Sequence, residues 1–204
     1  NANLFWTVVH GYQTNAYDQD NRVQYLTNAG SVRSRGVELE STLVPIKGLT
    51  LNINGSFNDV TYLSYKDAPC PPETSLRPGA PASCDLSGHQ VVGASKWIAN
   101  ANGEYKWNLA NGFEPYVTAS YAFRSKAVGT VEDSDYGQIP AYAVVNLSTG
   151  LRGDYDQGQW DVSLWLKNAF DKTYYTTLWT GGNGGYEGLL GTPRTLGVTG
   201  RYDF

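Results

Sequence analysis

The stretch Leu49-Thr-Leu-Asn-Ile-Asn-Gly-Ser-Phe-Asn58 decides the fold. Leu49, Leu51, Ile53, Gly55 and Phe57 make an apolar row, and Thr50, Asn52, Asn54, Ser56 and Asn58 make an unbroken polar one. Successive side chains of a strand point to opposite faces, so this segment reads as a strand with one apolar and one wet side. The same alternation recurs in about eight stretches of about 10–14 residues, longer than the usual soluble strand. They fall near residues 2–12, 31–44, 49–62, 91–107, 114–124, 141–152, 159–170 and 192–204. In the first, Leu4, Trp6 and Val8 share one face and Phe5, Thr7 and Val9 the other, so its facing stays open.

The connections alternate in length. Short ones lie near 45–48, 108–114 and 153–158; long ones lie near 13–30, 63–90, 125–140 and 171–191. An outer-membrane barrel behaves this way, with short periplasmic turns and long extracellular loops. The rows opposite the apolar ones carry mostly Asn, Ser and Thr rather than the dense Lys and Glu of a solvent face. Trp97, Trp107, Tyr121, Phe123, Trp160, Tyr202 and Phe204 fall at or near predicted strand ends, where an interfacial aromatic girdle would sit. The fold expected is therefore all-β, a transmembrane antiparallel β-barrel.

Composition agrees. Aromatic residues reach 13% and charged ones only 17%, which suits strands bordered by Trp and Tyr. No apolar run approaches the roughly 20 residues of a spanning helix, whereas alternating strands dilute their hydropathy. The net charge of −4 gives no support to a nucleic-acid partner. Residue 1 is Asn and no secretory leader is visible, so residue 1 is expected not to be the start of translation. Cys70 and Cys84 flank a Pro-rich segment and read as a loop disulfide, which implies an oxidising compartment. Closing a loop of about 15 residues is worth roughly 3 kcal/mol in the chain-entropy view.

The motifs Ser34-Arg-Gly-Val-Glu-Leu-Glu40, Tyr142-Ala-Val-Val-Asn-Leu-Ser148, Trp165-Leu-Lys-Asn-Ala-Phe-Asp-Lys-Thr-Tyr-Tyr175 and Gly191-Thr-Pro-Arg-Thr-Leu-Gly-Val-Thr-Gly-Arg-Tyr-Asp-Phe204 follow one another in order. From about residue 31 to the end the chain resembles the TonB-dependent outer-membrane receptors; the first thirty residues match only loosely. The resemblance implies that residues 1–204 are the C-terminal part, about eight strands, of a 22-stranded barrel. A plug domain and the earlier strands would lie outside this chain. It also implies active uptake of a scarce solute, most often a ferric siderophore, with energy passed by TonB to the plug. The implied partners are the rest of the barrel and plug, the TonB complex, outer-membrane lipid and a small metal chelate. The barrel-assembly machinery would read the terminal aromatics Tyr202 and Phe204. Locally, Gly36 suits a bulge or kink, and Asn168-Ala-Phe-Asp171 suits a turn whose side chains bond nearby backbone.

A catalytic site is not expected. His10 and His89 lie far apart and no nucleophile motif accompanies them. The acidic run Glu132, Asp133, Asp135 lacks a calcium-loop pattern and reads as a solvated loop. The Gly181-Gly-Asn-Gly-Gly185 segment lacks the Gly-Lys-Ser/Thr of a phosphate loop. No metal or cofactor is called for. The ligand-contact candidates are the loop aromatics and cations Tyr62, Tyr65, Arg124, Tyr136, Trp179 and Tyr186, which suit an anionic metal chelate. Two other architectures remain open at this point: a self-contained eight-stranded outer-membrane barrel, enzyme or adhesin, and a soluble carbohydrate-binding sandwich.

Overall fold

The computed structural model describes residues 1–18, 21, 23–155, 157–181 and 185–204. Fourteen strands follow in chain order: β1 (Ala2–His10), β2 (Gln13–Asp18), β3 (Val23–Asn28), β4 (Ser31–Ile46), β5 (Leu49–Ser64), β6 (Trp97–Lys106), β7 (Glu114–Arg124), β8 (Ala127–Val128), β9 (Gln138–Ile139), β10 (Tyr142–Tyr155), β11 (Gly158–Lys167), β12 (Tyr175–Thr180), β13 (Tyr186–Leu190) and β14 (Thr195–Asp203). Eight of them form one antiparallel meander in the order β1-β4-β5-β6-β7-β10-β11-β14. The other six form three hairpins, β2–β3, β8–β9 and β12–β13, each inside a long connection. The sequence reading takes those connections as loops without strands. Their strands are only two to six residues long, too short for alternation to stand out.

The eight sheet strands match the eight expected stretches, with shifted ends that have local causes. β4 continues through Pro45 to Ile46, and its register shifts between Leu43 and Ile46. Pro45 thus sits where the ladder is already irregular and its missing N–H costs little. The turn shrinks to Lys47–Gly48, with Gly48 at φ 86°, a left-handed conformation that a side chain resists. β6 starts at Trp97, not near residue 91, because residues 91–96 fold into the loops. β11 ends at Lys167 because Asn168 turns left-handed, at φ 48°. Gly36 is not a bulge. It pairs regularly between Phe5 and Asn58, and a Cβ there would strike the Phe57 carbonyl and the Phe5 ring.

Register then settles which face is which. Directly opposed residues of an antiparallel sheet share a face. Leu43, Leu51, Gly103, Ala119, Leu147, Leu166 and Leu196 form one continuous row across seven strands. Leu39, Ile53, Val117, Leu164 and Val198 on the same face are exposed, with no second layer packed over them among the described residues. The soluble sandwich is thereby set aside, because its apolar face would be covered. Leu4 opposes Val37, so Leu4, Trp6 and Val8 join the apolar face, which resolves the open facing of the first strand. The other face carries rows such as Thr42, Asn52, Asn102, Ser120 and Asn146. Neighbours there hydrogen-bond to one another: Thr42 Oγ1 donates to Asn52 Oδ1 at 2.8 Å, and Asn146 Nδ2 to Ser120 Oγ at 3.0 Å.

Aromatic rings border the apolar face at both ends. Phe57 and Trp97 lie 4.7 Å apart toward the long loops. Tyr105 with Trp107, Phe113 with Trp160 and Tyr202 with Phe204 lie toward the short turns. β1 and β14 stand at opposite edges of the sheet and do not pair, so the sheet is open and the closed eight-stranded barrel is excluded.

The C-terminal motifs knit together. Asn168 is almost fully buried; its Nδ2 donates to the carbonyls of Lys172 and Thr192 at 2.9 and 3.0 Å, and its Oδ1 accepts from the Lys172 N–H. The Asn168 N–H donates to Asn146 Oδ1 at 2.9 Å. The Asn168–Lys172 bonds are the local ones that the turn reading expects, whereas Asp171 Oδ1 accepts the N–H of the distant Arg194 at 3.0 Å.

An arginine at Ile53, near the middle of the apolar band, is expected to cost about 2–4 kcal/mol of barrel stability in lipid. The same change at the neighbouring Asn54, on the polar face, is expected to cost about 0.5 kcal/mol or less. Denaturant unfolding of the complete protein in vesicles reads both. Equal costs would mean that the two faces had been assigned wrongly.

Candidate functional site at the loop end

The only buried hydrophobic clusters among the described residues lie at the long-loop end. Ala16, Ala29, Val32, Tyr62, Tyr65, Ala68, Leu86, Val91 and Val131 form one, and Ala127, Ile139 and Leu178 the other. The sheet turns its apolar side outward, so the chain has its interior among the connections. Tyr62 lies at its centre, edge-on to Tyr12 at 6.4 Å and tilted against Tyr65 at 5.0 Å. Cys70 and Cys84 are disulfide-bonded, as the sequence leads one to expect, and Ala68 pairs with Cys84 beside the bond.

Polar side chains tie the loops together. Residue Glu73, in the one-turn helix Pro72–Ser75, accepts from Ser134 Oγ at 2.7 Å and from the Asp135 N–H at 2.8 Å. His89 Nδ1 lies 2.7 Å from Asp133 Oδ2. Glu132 is buried and accepts from Thr180 Oγ1 at 2.7 Å. The loop between β7 and β10 is therefore clamped from both sides. The acidic run is not a solvated loop, because two of its three carboxylates are taken up by neighbouring loops and Ser134 between them is fully buried.

The six ligand-contact candidates do not share one open surface, although Tyr62 packs on Tyr65, and Tyr65 and Tyr186 both interact with Glu132, which lines the cleft beside Trp179. Tyr62 and Tyr65 are 1% and 2% exposed and belong to the loop core, where burial pushes the Tyr65 phenol up to about 12. Arg124 is engaged, its Nε donating to Ser95 Oγ at 2.6 Å and its terminal nitrogen to the Gly93 carbonyl. Tyr186 is half-buried, its phenol also pushed up to about 12 by burial. Tyr136 stands out from the turn Asp135–Gly137, 73% exposed. Trp179 forms a wall of a cleft of about 270 Å³ where all four long connections meet, the second of them through Val92. Thr14 and Asn15 come from the first of these, Thr130 and Glu132 from the third, and Trp179 and Thr180 from the last. Thr130 Oγ1 is buried there without a hydrogen-bond partner among the described residues. Sequence reasoning missed Thr14, Asn15, Thr130 and Thr180, since nothing in the local pattern marks residues that meet only across loops. The Gly-rich segment 181–185 lies partly outside the described residues.

The polar face of the sheet carries a second cluster near the short turns. Arg152 lies between Asp161, Glu104 and Glu114 at 2.9, 3.3 and 3.5 Å, and over the Tyr116 ring at 4.0 Å. Further along this face is a polar trough of about 510 Å³ lined by Asn52, Asn102, Glu104, Ser120, Asn146 and Lys167, among others.

An open antiparallel meander with one apolar face, one polar face, aromatic borders and long loops at one end is a segment of an outer-membrane β-barrel. Residues 1–169 match the family described as TonB dependent receptor-like, beta-barrel, and the chain belongs to that family. The match takes in the first thirty residues, where the motif reading is loosest, and stops before the C-terminal motif at 191–204. No curated protein matches the sequence. Among solved structures, the ferric yersiniabactin uptake receptor FyuA of Yersinia pestis superposes with a TM-score of 0.71 at 19% identity, over 100% of this chain and 27% of that one. The siderophore receptor PiuA of Acinetobacter baumannii gives 0.68 at 16%, over 98% and 25%. The ferric preacinetobactin receptor BauA of the same species gives 0.66 at 15%, over 98% and 26%. The chain thus spans about a quarter of their length, and at these identities what is shared is the fold. Barrels of this family reside in the bacterial outer membrane, and the family's members are transporters and receptors.

The Glu73 clamp carries a pH dependence. Burial pushes its carboxyl up, but hydrogen bonds from its own N–H, Ser134 Oγ and the Asp135 and Tyr136 N–H groups outweigh burial and hold it below the ordinary 4.5. A depressed folded-state value stabilises fully above 4.5, and that stability is lost as pH falls through the depressed value. Amide exchange at residues 134–136, corrected for intrinsic rate, is expected to quicken as pH falls below 4.5. Glu73→Gln is expected to exchange faster at neutral pH and to flatten that profile. Identical profiles in the two proteins would show that Glu73 plays no part.

Proposed function

We propose that this chain forms the C-terminal part of the barrel of a TonB-dependent transporter that imports a ferric siderophore across the outer membrane. The observation that carries the reading is the loop-built cleft at the extracellular end, walled by Trp179 and lined by loops tied to one another. Family membership supplies the transport class. The neighbours named for ferric-siderophore uptake supply the solute class. An iron chelate is flat in part and commonly anionic, and Trp179 and the exposed Tyr136 offer it ring faces.

The remaining features fit the same proposal. The polar trough and the Arg152 cluster suit a plug domain seated inside the barrel, through which TonB would act. The unpaired edges of β1 and β14 suit further strands of the same protein, since a membrane leaves no backbone edge unsatisfied. Tyr202 and Phe204 suit a terminal signal for the barrel-assembly machinery: Phe204 is fully exposed, and Tyr202 Oη donates to the Tyr155 carbonyl at 3.1 Å. Transport needs no chemistry on the solute.

Uptake of radiolabelled ferric siderophores by cells carrying the complete receptor tests the reading. Uptake is expected to vanish when either the receptor or TonB is removed. Trp179→Ala is expected to weaken solute binding about tenfold, the loss of one desolvated ring contact. Uptake that persists without TonB, or iron chelates that never bind the purified receptor, would sink it.

A further inference from the structure

The outer face of the sheet carries one charged cluster that the transport reading does not use. Arg35 opposes Trp6 on one side and Asp59 on the other, and Arg33 opposes Val8 and Thr61. All six share the face of Leu4, Val37 and Phe57, so this charge faces the membrane side and not the lumen. Its height is fixed by the register. The Phe57–Trp97 ring pair borders the apolar band, and the Arg35–Asp59 row stands two residues, or about 7 Å, beyond it toward the long loops, with Val8 beyond that row again.

The cluster holds more positive charge than it neutralises. Asp59 is contacted by Arg35 at 2.9 Å, Arg33 at 3.6 Å and Lys96 at 3.9 Å. Three cations share one carboxylate, leaving two positive charges in excess. Both guanidinium groups lie 5.4 Å from the centre of the Trp6 ring, within reach of its π face. Arg33 Nε is buried with no acceptor among the described residues. Arg35 and Lys96 keep nearly half their side-chain surface open. Directly below, Leu4 and Leu39 offer an exposed apolar surface.

We propose that Trp6, Arg33, Arg35 and Lys96 form a docking site for the phosphorylated headgroup of an outer-leaflet lipid, whose acyl chains lie along Leu4 and Leu39. A lipid fits better than a soluble anion because the cations rise from the hydrocarbon-facing side, at the level of the aromatic border. Headgroup phosphates lie at that depth, and acyl chains continue downward. Fixed, preorganised donors facing a lipid phosphate gain more than solvated ones. The site does not depend on which solute the barrel carries.

The test uses the complete receptor, purified in detergent and stripped of lipid. Bisphosphorylated lipid A or the same lipid without its phosphates is added, and retained molecules are counted by native mass spectrometry. The phosphorylated lipid is expected to be retained and the dephosphorylated one lost. This comparison needs no variant. A second arm replaces the cluster by Arg33→Gln, Arg35→Gln, Lys96→Gln and Asp59→Asn together, so that no carboxylate is left unpaired. It is expected to weaken retention about a hundredfold, three cations at about fivefold each. Equal retention of the two lipids, unchanged retention by a folded variant, or displacement of the lipid by equimolar inorganic phosphate would each overturn the proposal.

Discussion

Hydrocarbon cannot hydrogen-bond, and that constraint orders everything else in this structure. Each backbone group in the apolar band has to find its partner on a neighbouring strand. The eight sheet strands meet this by pairing each with the next in a regular antiparallel ladder. Because side chains alternate, one register sends all the apolar rows to the same side. A slip of a single residue would turn Leu51 and Leu147 toward water and Asn52 and Asn146 toward lipid. Regular pairing and a uniform exterior are thus one condition.

The outward-facing sheet leaves this chain without a core of the soluble kind, and the loops supply one instead. Buried residues gather around Tyr62 and Tyr65, where the β4–β5 pair rises beyond the membrane band. Rigidity there comes from a disulfide, a ring cluster and carboxylates bonded across loops rather than from sheet packing. Such a clamped arrangement suits a binding surface. Its cleft walls come from separate connections and hold their spacing only if those connections are fixed to one another. The two faces also divide their electrostatics. The Arg152 cluster points into the lumen near the short turns, while the arginines beside Trp6 point outward near the long loops.

The strands were largely legible, and the loop structure was not. β7 begins and ends at the residues that its alternation marks, because both of its faces see uniform surroundings, lipid on one side and water on the other. β6 was read too long. Val91 is apolar and in phase, but it is buried in the loop cluster rather than in the sheet. The acidic run was misread for a related reason. Carboxylates at Glu132 and Asp133 look solvated until Thr180 and His89 arrive from other connections. Of the ligand candidates, Tyr62 is taken up by the loop interior, and Arg124 by the Ser95 hydroxyl and the Gly93 carbonyl.

By itself, the sequence determined the membrane character, the eight strands of the main sheet, the alternation of short turns and long loops, and the Cys70–Cys84 pairing. The first three follow from local period and spacing, which the membrane's two-sided environment imposes on each strand independently; the pairing follows from the chain having two cysteines, both in one Pro-rich loop. Only the tertiary structure decided the facing of β1, the open edges of the sheet, the three loop hairpins and the union of Trp179 with Thr14 and Thr130. Those depend on contacts between residues far apart in the chain, and a pattern that repeats every two residues contains no information about which distant loop it will meet.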